Sequence, residues 1–159
     1  MSKYNELINK AKQLYNQGNL EASANYYEEA FKEKIIVADY LMLGYIYIDL
    51  GKLSKAESMF NYMASVDEGI EINYGLANIY ERSGRRQESI EMYTKVIEEK
   101  NDFEMAHFSI AYLYDEIAEE EHLEYEHETV QKAIKHYEEA LKQNQNNIPT
   151  IFLRIYFKI

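Results

Sequence analysis

The stretch YLMLGYIYIDLGKLSKAESMF, Tyr40 to Phe60, sets Gly44, Gly51 and Ala56 in an apolar, aromatic run where a helix is better served by larger side chains. The same small residues recur along the chain. Gly18, Gly51 and Gly84 are spaced 33 residues apart, and Ala11, Gly44 and Ala77 each lie seven residues before them. Leu14, Tyr47 and Tyr80 keep that step, as do Ser23, Ala56 and Ser89, then Tyr27, Phe60 and Tyr93. A fourth copy begins with Ala111 and Tyr114, 34 residues on, and resumes with Ala133, Tyr137 and Ala140, 44 residues after their counterparts. About ten residues are therefore inserted inside the fourth unit.

Within each unit the marked positions are three or four apart, then three or four apart again beyond a glycine, so each unit reads as helix, turn, helix. Two antiparallel helices pack closely only where the crossing lacks bulk. Gly44 is expected to face Ala56 across the hairpin, with Tyr47 and Phe60 filling the space around them. Gly51 is expected to make the turn in a left-handed conformation. A plain amphipathic bundle would also show tyrosine and leucine at helical spacing. It would not put glycine at one phase three times. One hairpin leaves an apolar face wet, and stacking the next unit covers it.

Composition agrees with an all-helical fold. The balance of 47% hydrophobic to 28% charged residues is that of a globular chain, and one proline with six glycines leaves too few breakers for a many-stranded sheet. With no cysteine, disulfides and thiolate metal sites are excluded. A net charge of -11 repels phosphate backbones, which argues against nucleic acid as a partner. The start, MSKYNELINK, lacks the apolar core of a secretory signal, and no run approaches the ~20 apolar residues of a membrane span. The expectation is a cytoplasmic protein with no membrane partner.

The columns resemble the tetratricopeptide repeat, whose pattern W-x-x-L-G-x-x-Y, then G, A, F and A, repeats about every 34 residues. Here it reads Tyr40, Leu43, Gly44, Tyr47, Gly51, Ala56 and Phe60 in the second unit, and Asn73, Leu76, Ala77, Tyr80, Gly84, Ser89 and Tyr93 in the third. The first unit gives Leu7, Lys10, Ala11, Leu14, Gly18, Ser23, Tyr27 and Ala30. No unit carries the tryptophan, Met63 and Val96 replace the late alanine, and the closing proline is missing. The resemblance implies a right-handed α-solenoid of antiparallel helix pairs. One domain is expected over residues 1–159, with repeats near 4–36, 37–69, 70–102 and 104–147, an acidic insertion near 118–128 and a closing helix over 148–159.

The resemblance also implies that the first helix of every unit lines a concave groove that grips a peptide or a partner's segment. Tyr15, Leu41, Tyr45, Ile48, Tyr74, Asn78, Phe108 and Tyr112 are the candidate partner-binding residues, with acidic edges at Asp49, Glu71, Glu81, Asp115 and Glu116. Aromatic rings bury large area while losing few rotors, and the acidic edges favour a partner with apolar anchors and Lys or Arg between them. Some of these tyrosines are alternatively read as packing between neighbouring helices. The carboxylate clamp of one subgroup of the family is not matched, because Ile8, Lys12, Met42, Glu71 and Gly75 stand at its positions.

The insertion carries six glutamates, Glu119, Glu120, Glu121, Glu124, Glu126 and Glu128, and no glycine or proline. It is expected to lengthen both helices of the fourth hairpin, with Thr129 capping the second. HETVQ is not a zinc helix: Gln131 stands where the second histidine is needed, and His122 and His127 are five apart. No phosphate loop or nucleophile pattern appears, so no metal, cofactor or catalytic activity is expected, and His107 and His136 read as packing or surface residues. The final segment, NIPTIFLRIYFKI, is apolar except for Arg154 and Lys158. Phe152, Ile155, Tyr156 and Ile159 are the candidate self-association residues, and a homodimer through them is the alternative function.

Overall fold

The computed structural model describes residues 2–67 and 69–143. They form eight α-helices: α1 (Lys3–Asn16), α2 (Leu20–Phe31), α3 (Val37–Asp49), α4 (Leu53–Val66), α5 (Ile70–Arg82), α6 (Arg86–Glu99), α7 (Glu104–Glu120) and α8 (Glu128–Gln143). No strand occurs among the described residues. The expected closing helix over 148–159, with Phe152, Ile155, Tyr156 and Ile159, lies outside them.

The fold divides into two compact units between Ser83 and Gly84, so that α1–α5 belong to one and α6–α8 to the other. In the first unit each helix packs on the next, and α3 also packs on α5. Helices α1 and α2 start at side-chain caps. Ser2 Oγ accepts the Asn5 amide and Asn19 Oδ1 the Ala22 amide, each at 3.3 Å.

Helices α1, α3 and α5 stop at the phase-matched glycines. Gly18, Gly51 and Gly84 have φ of 76°, 71° and 72°, a region open to glycine at little cost. Beyond Gly18 and Gly51 the chain folds back, with Asn19 N–H donating to the Leu14 carbonyl (2.9 Å) and Lys52 N–H to the Tyr47 carbonyl (2.8 Å).

The small residues have two different neighbours. In the first hairpin Ser23, fully buried, donates its hydroxyl to the Ala11 carbonyl at 2.8 Å, so the small pair does meet there. In the second, the side chain nearest Gly44 is that of Phe60: a Cβ on Gly44 would stand 2.8 Å from Phe60 Cε2. Gly75 of α5 meets the other edge of the same ring, and a Cβ there would fall well inside van der Waals contact with Cε1. The fully buried Phe60 is thus held between the backbones of two helices, with Tyr45 edge-on at 5.2 Å. An ion-paired lock ties α1 to α3. Lys12 lies 3.0 Å from Asp39 Oδ1, and the buried Tyr4 hydroxyl donates to Asp39 Oδ2 at 2.7 Å.

In the second unit α7 runs 17 residues against the 13 of α3 and α5. Ala118 stands at the phase where the other units have glycine, so nothing stops the helix, and it continues one more turn. His122 then takes the left-handed conformation, with φ of 54°, and Leu123 N–H donates to the Ala118 carbonyl at 2.9 Å. The same fold-back is built around a histidine. The insertion is therefore shared between the added turn of α7, the connection 121–127 and a slightly earlier start of α8. Thr129 is not the cap of α8: its amide donates to His127 Nδ1 at 3.2 Å, and the imidazole ahead of the helix fills that role. The extension has its own small core of Ala118, Val130 and Ile134, with Leu123 against it.

Candidate partner-binding site

The first-helix faces of α1, α3 and α5 bring together the candidates of the first unit in different states. Tyr15 is exposed; Leu41, Tyr45, Tyr74 and Asn78 are half-buried; Ile48 is buried. Tyr45 donates its hydroxyl to the Glu71 carbonyl at 2.6 Å, which fastens α3 to α5, and burial pushes its pKa up. Ile48 gives its carbonyl to the Arg82 guanidinium, a second tie between the same helices. Asn78 spends its amide on the Tyr74 carbonyl at 2.8 Å, and burial also raises the Tyr74 pKa. Tyr15 therefore offers the most open ring of this face, while Tyr45 and Ile48 hold the face together.

In the second unit Phe108 is half-buried and turned edge-on to Tyr137 at 5.8 Å, towards the α7–α8 core of Ala111, Ala133 and Tyr137. Tyr112 donates to Glu116 Oε1 at 3.0 Å. Arg86 of α6 reaches Glu116 at 3.3 Å and Glu120 at 2.7 and 2.9 Å, a fork geometry suited to carboxylates. Asp115 is only 8% exposed, and burial pushes its pKa up to about 6, with Glu119 and Glu116 adding to the shift.

His107 and His136 are packed residues. His107 Nε2 lies 2.8 Å from the Asn101 carbonyl, so it carries the proton, and its Nδ1 then accepts from His136 Nδ1 at 3.0 Å. Burial, then His107, pushes the His136 pKa down to about 4.

Sequence reasoning did not foresee a cleft of about 570 Å³ in the first unit, on the side of the second helices. Phe31, Leu43, Tyr47 and Met59 form its apolar surface, and Glu28 and Lys55 stand at its edge. The Tyr47 hydroxyl donates to the Glu28 carboxylate and holds its pKa below the usual range. Tyr40 lines both this cleft and a smaller apolar one formed with Ile35, Val37, Tyr62, Val66 and Ile72, and its ring centroid is 5.4 Å from that of Phe31 and 6.2 Å from that of Tyr62. The clue was Phe31, just ahead of the turn between hairpins, a place where the repeat pattern assigns no role.

Two tetratricopeptide-repeat sequence profiles match the chain, over residues 74–104 and 40–61. A search of curated protein sequences found no match. Among solved structures, a tetratricopeptide repeat protein from Parabacteroides merdae ATCC 43184 is similar over 98% of this chain and 60% of its own, with 18% identity and a TM-score of 0.76. The present chain thus spans less than two thirds of that protein. MamA is similar over 92% of this chain and 78% of its own, at 20% identity and a TM-score of 0.72. YrrB, described as a TPR protein with an unusual peptide-binding site, is similar over 87% and 68%, at 18% identity and a TM-score of 0.65. These likenesses show an all-α helical-repeat fold of the solenoid class, and the two profile matches identify tetratricopeptide repeats at residues 40–61 and 74–104.

Proposed function

We propose that the chain is a non-catalytic protein-interaction scaffold that holds a peptide or partner segment against its first helices. The observation that carries this reading is the repeat fold itself, in which α1, α3 and α5 of the first unit carry side chains of several positions on their first-helix faces. The likeness to YrrB supports a peptide as the class of partner. Tyr15, Leu41, Tyr74 and Asn78 are the residues of the first unit assigned to contact, and Tyr112 is the candidate of the second unit taken by itself. Tyr45 and Ile48 act mainly by keeping α3 on α5, and Phe108 by packing on α8. The net charge of -11, with Glu71, Glu81 and Glu116 on these helices, favours a segment with apolar anchors and Lys or Arg between them.

Capture from two peptide pools matched in apolar content, one basic and one acidic, tests this reading. Capture of the basic pool, weakened by Tyr15→Ala and by added salt, is the expected result. Preference for the acidic pool, or capture of neither, overturns it.

A further inference from the structure

The added turn of α7 leaves a cavity of about 430 Å³ at the end of the fourth hairpin. That is within the range of ligand pockets, ~300–1,000 Å³. Asp115, Glu119 and His122 supply its polar wall, and Leu123, Tyr125 and Val130 its apolar wall. Asp115, more than nine-tenths buried, has no hydrogen bond or ion pair with any described residue. Arg86, which reaches the neighbouring carboxylates of α7, is engaged by Glu116 and Glu120. Glu119, one turn further along α7, has no ion pair among the described residues either.

A carboxylate with no protein donor that reaches solvent only through this cavity, beside a second carboxylate, is stabilised by a positive charge arriving there. Among the described residues no three His, Asp or Glu side chains converge to hold a metal ion, and half of the wall is apolar. The complement is a cation at the end of a hydrocarbon stem, which is the form of lysine and arginine.

We propose that this cavity receives the cationic end of a lysine or arginine side chain carried by a bound protein segment. Asp115 and Glu119 take the charge, while Leu123, Tyr125 and Val130 cover the stem. The proposal rests on the scaffold reading and names a specificity site outside the first-helix ladder. The raised Asp115 pKa agrees with a carboxylate that lacks its counter-charge when the cavity is empty.

The test is titration of the ¹⁵N-labelled full chain at pH 7.5 with acetyl-Leu-Arg-Leu-amide, its lysine counterpart and a neutral norleucine counterpart. Shifts at the Ala118, His122 and Leu123 amides are expected with the two charged peptides, and binding at least tenfold weaker with norleucine. Asp115→Asn should weaken the arginine peptide about tenfold or more, and Glu119→Gln, at the exposed rim, should weaken it without touching the buried position. Equal binding of the norleucine peptide, or no change in either variant, overturns the proposal. So does spermidine binding where neither charged peptide binds, which would make the ligand a free amine. A tenfold gain in peptide affinity on Arg154→Gln with Lys158→Gln also overturns it, because the chain's own end would then be the occupant. Pool capture tests the scaffold separately. A chain that takes the arginine peptide but captures no pool keeps the cation site and loses the scaffold; pool capture with no response at the cavity loses the cation site alone.

Discussion

The hairpins α3/α4 and α7/α8 are built on the same columns, yet they end differently. The first stops at Gly51, where a left-handed residue turns the chain at once. The second has Ala118 at that phase, runs one turn further and reverses at His122. The stop signal of a helix in this fold is thus a single position. Losing it does not unravel the hairpin, because the longer arms bury Ala118, Val130, Ile134 and Leu123 against each other. The cost appears at the turn, where a side chain is held at positive φ, and beside it, where Asp115 is left in a cavity without a donor.

The two hairpins also differ in how they are filled. Phe60→Ala would empty the space between Gly44 and Gly75, and a loss of about 3–5 kcal/mol is expected in urea unfolding. Gly75→Ala approaches the same contact from the other side and should cost about 1–3 kcal/mol by overpacking. If Phe60→Leu combined with Gly75→Ala recovers none of that loss, the ring is not the reason for the glycine.

At the turns, opposite signs are expected. Gly51→Ala should destabilise by about 1–2 kcal/mol, since alanine carries the left-handed penalty. His122→Gly should stabilise by about 1 kcal/mol or less, read as a higher thermal midpoint. Equal effects of one sign at both turns would end the comparison.

Acid distinguishes the second unit further. The folded-state pKa of His136 is lowered from 6.5 to about 4, so the unfolded chain binds more protons in that window, and the histidine destabilises the fold as pH falls through it. The folded-state pKa of Asp115 is raised from 3.8 to about 6, so there the folded chain binds more protons, and its effect runs the other way. The two oppose each other over nearly the same range. Asp115→Asn should therefore be more stable than the parent at pH 7.5 and lose that advantage by about pH 4, by thermal melts across the range. The smallest change is expected from Tyr27→Phe. The Tyr27 hydroxyl is buried with no hydrogen-bond partner among the described residues, whereas Phe60 fills the same column without one. Removing it should leave stability unchanged or raise it by less than ~1 kcal/mol.

The repeating elements were legible because their causes are local. A left-handed glycine, a helical period and an Asn or Ser cap each act within a few residues, and Gly18, Gly51, Gly84 and Asn19 behave as their neighbourhoods require. Ala118 was visible too, as the missing glycine of the fourth unit, but its consequence depends on what the longer arms meet. Gly75 was not legible, since its constraint comes from Phe60 in another helix and its column holds Asn9 and Met42 in the first two units. The candidate site was legible as a face and not as roles. Helical spacing puts Tyr15, Tyr45 and Ile48 on one side, but only neighbouring helices decide that Tyr45 and Ile48 are fastened while Tyr15 stays open. Asp115 shows the same limit, for a carboxylate on a helix reads as a solvated edge until its surroundings close over it.

The ring of Phe60 has a consequence for how such a chain changes over generations. Repeats are usually pictured as interchangeable cassettes, copied or dropped at their borders. Here a cut at the border between the second and third copies would part an aromatic side chain from one of the two glycines that admit it, and a transplanted copy carrying alanine in place of Gly75 would arrive with a clash. The heritable block is therefore offset from the visible one: it begins at Gly44, crosses the border and ends at Gly75.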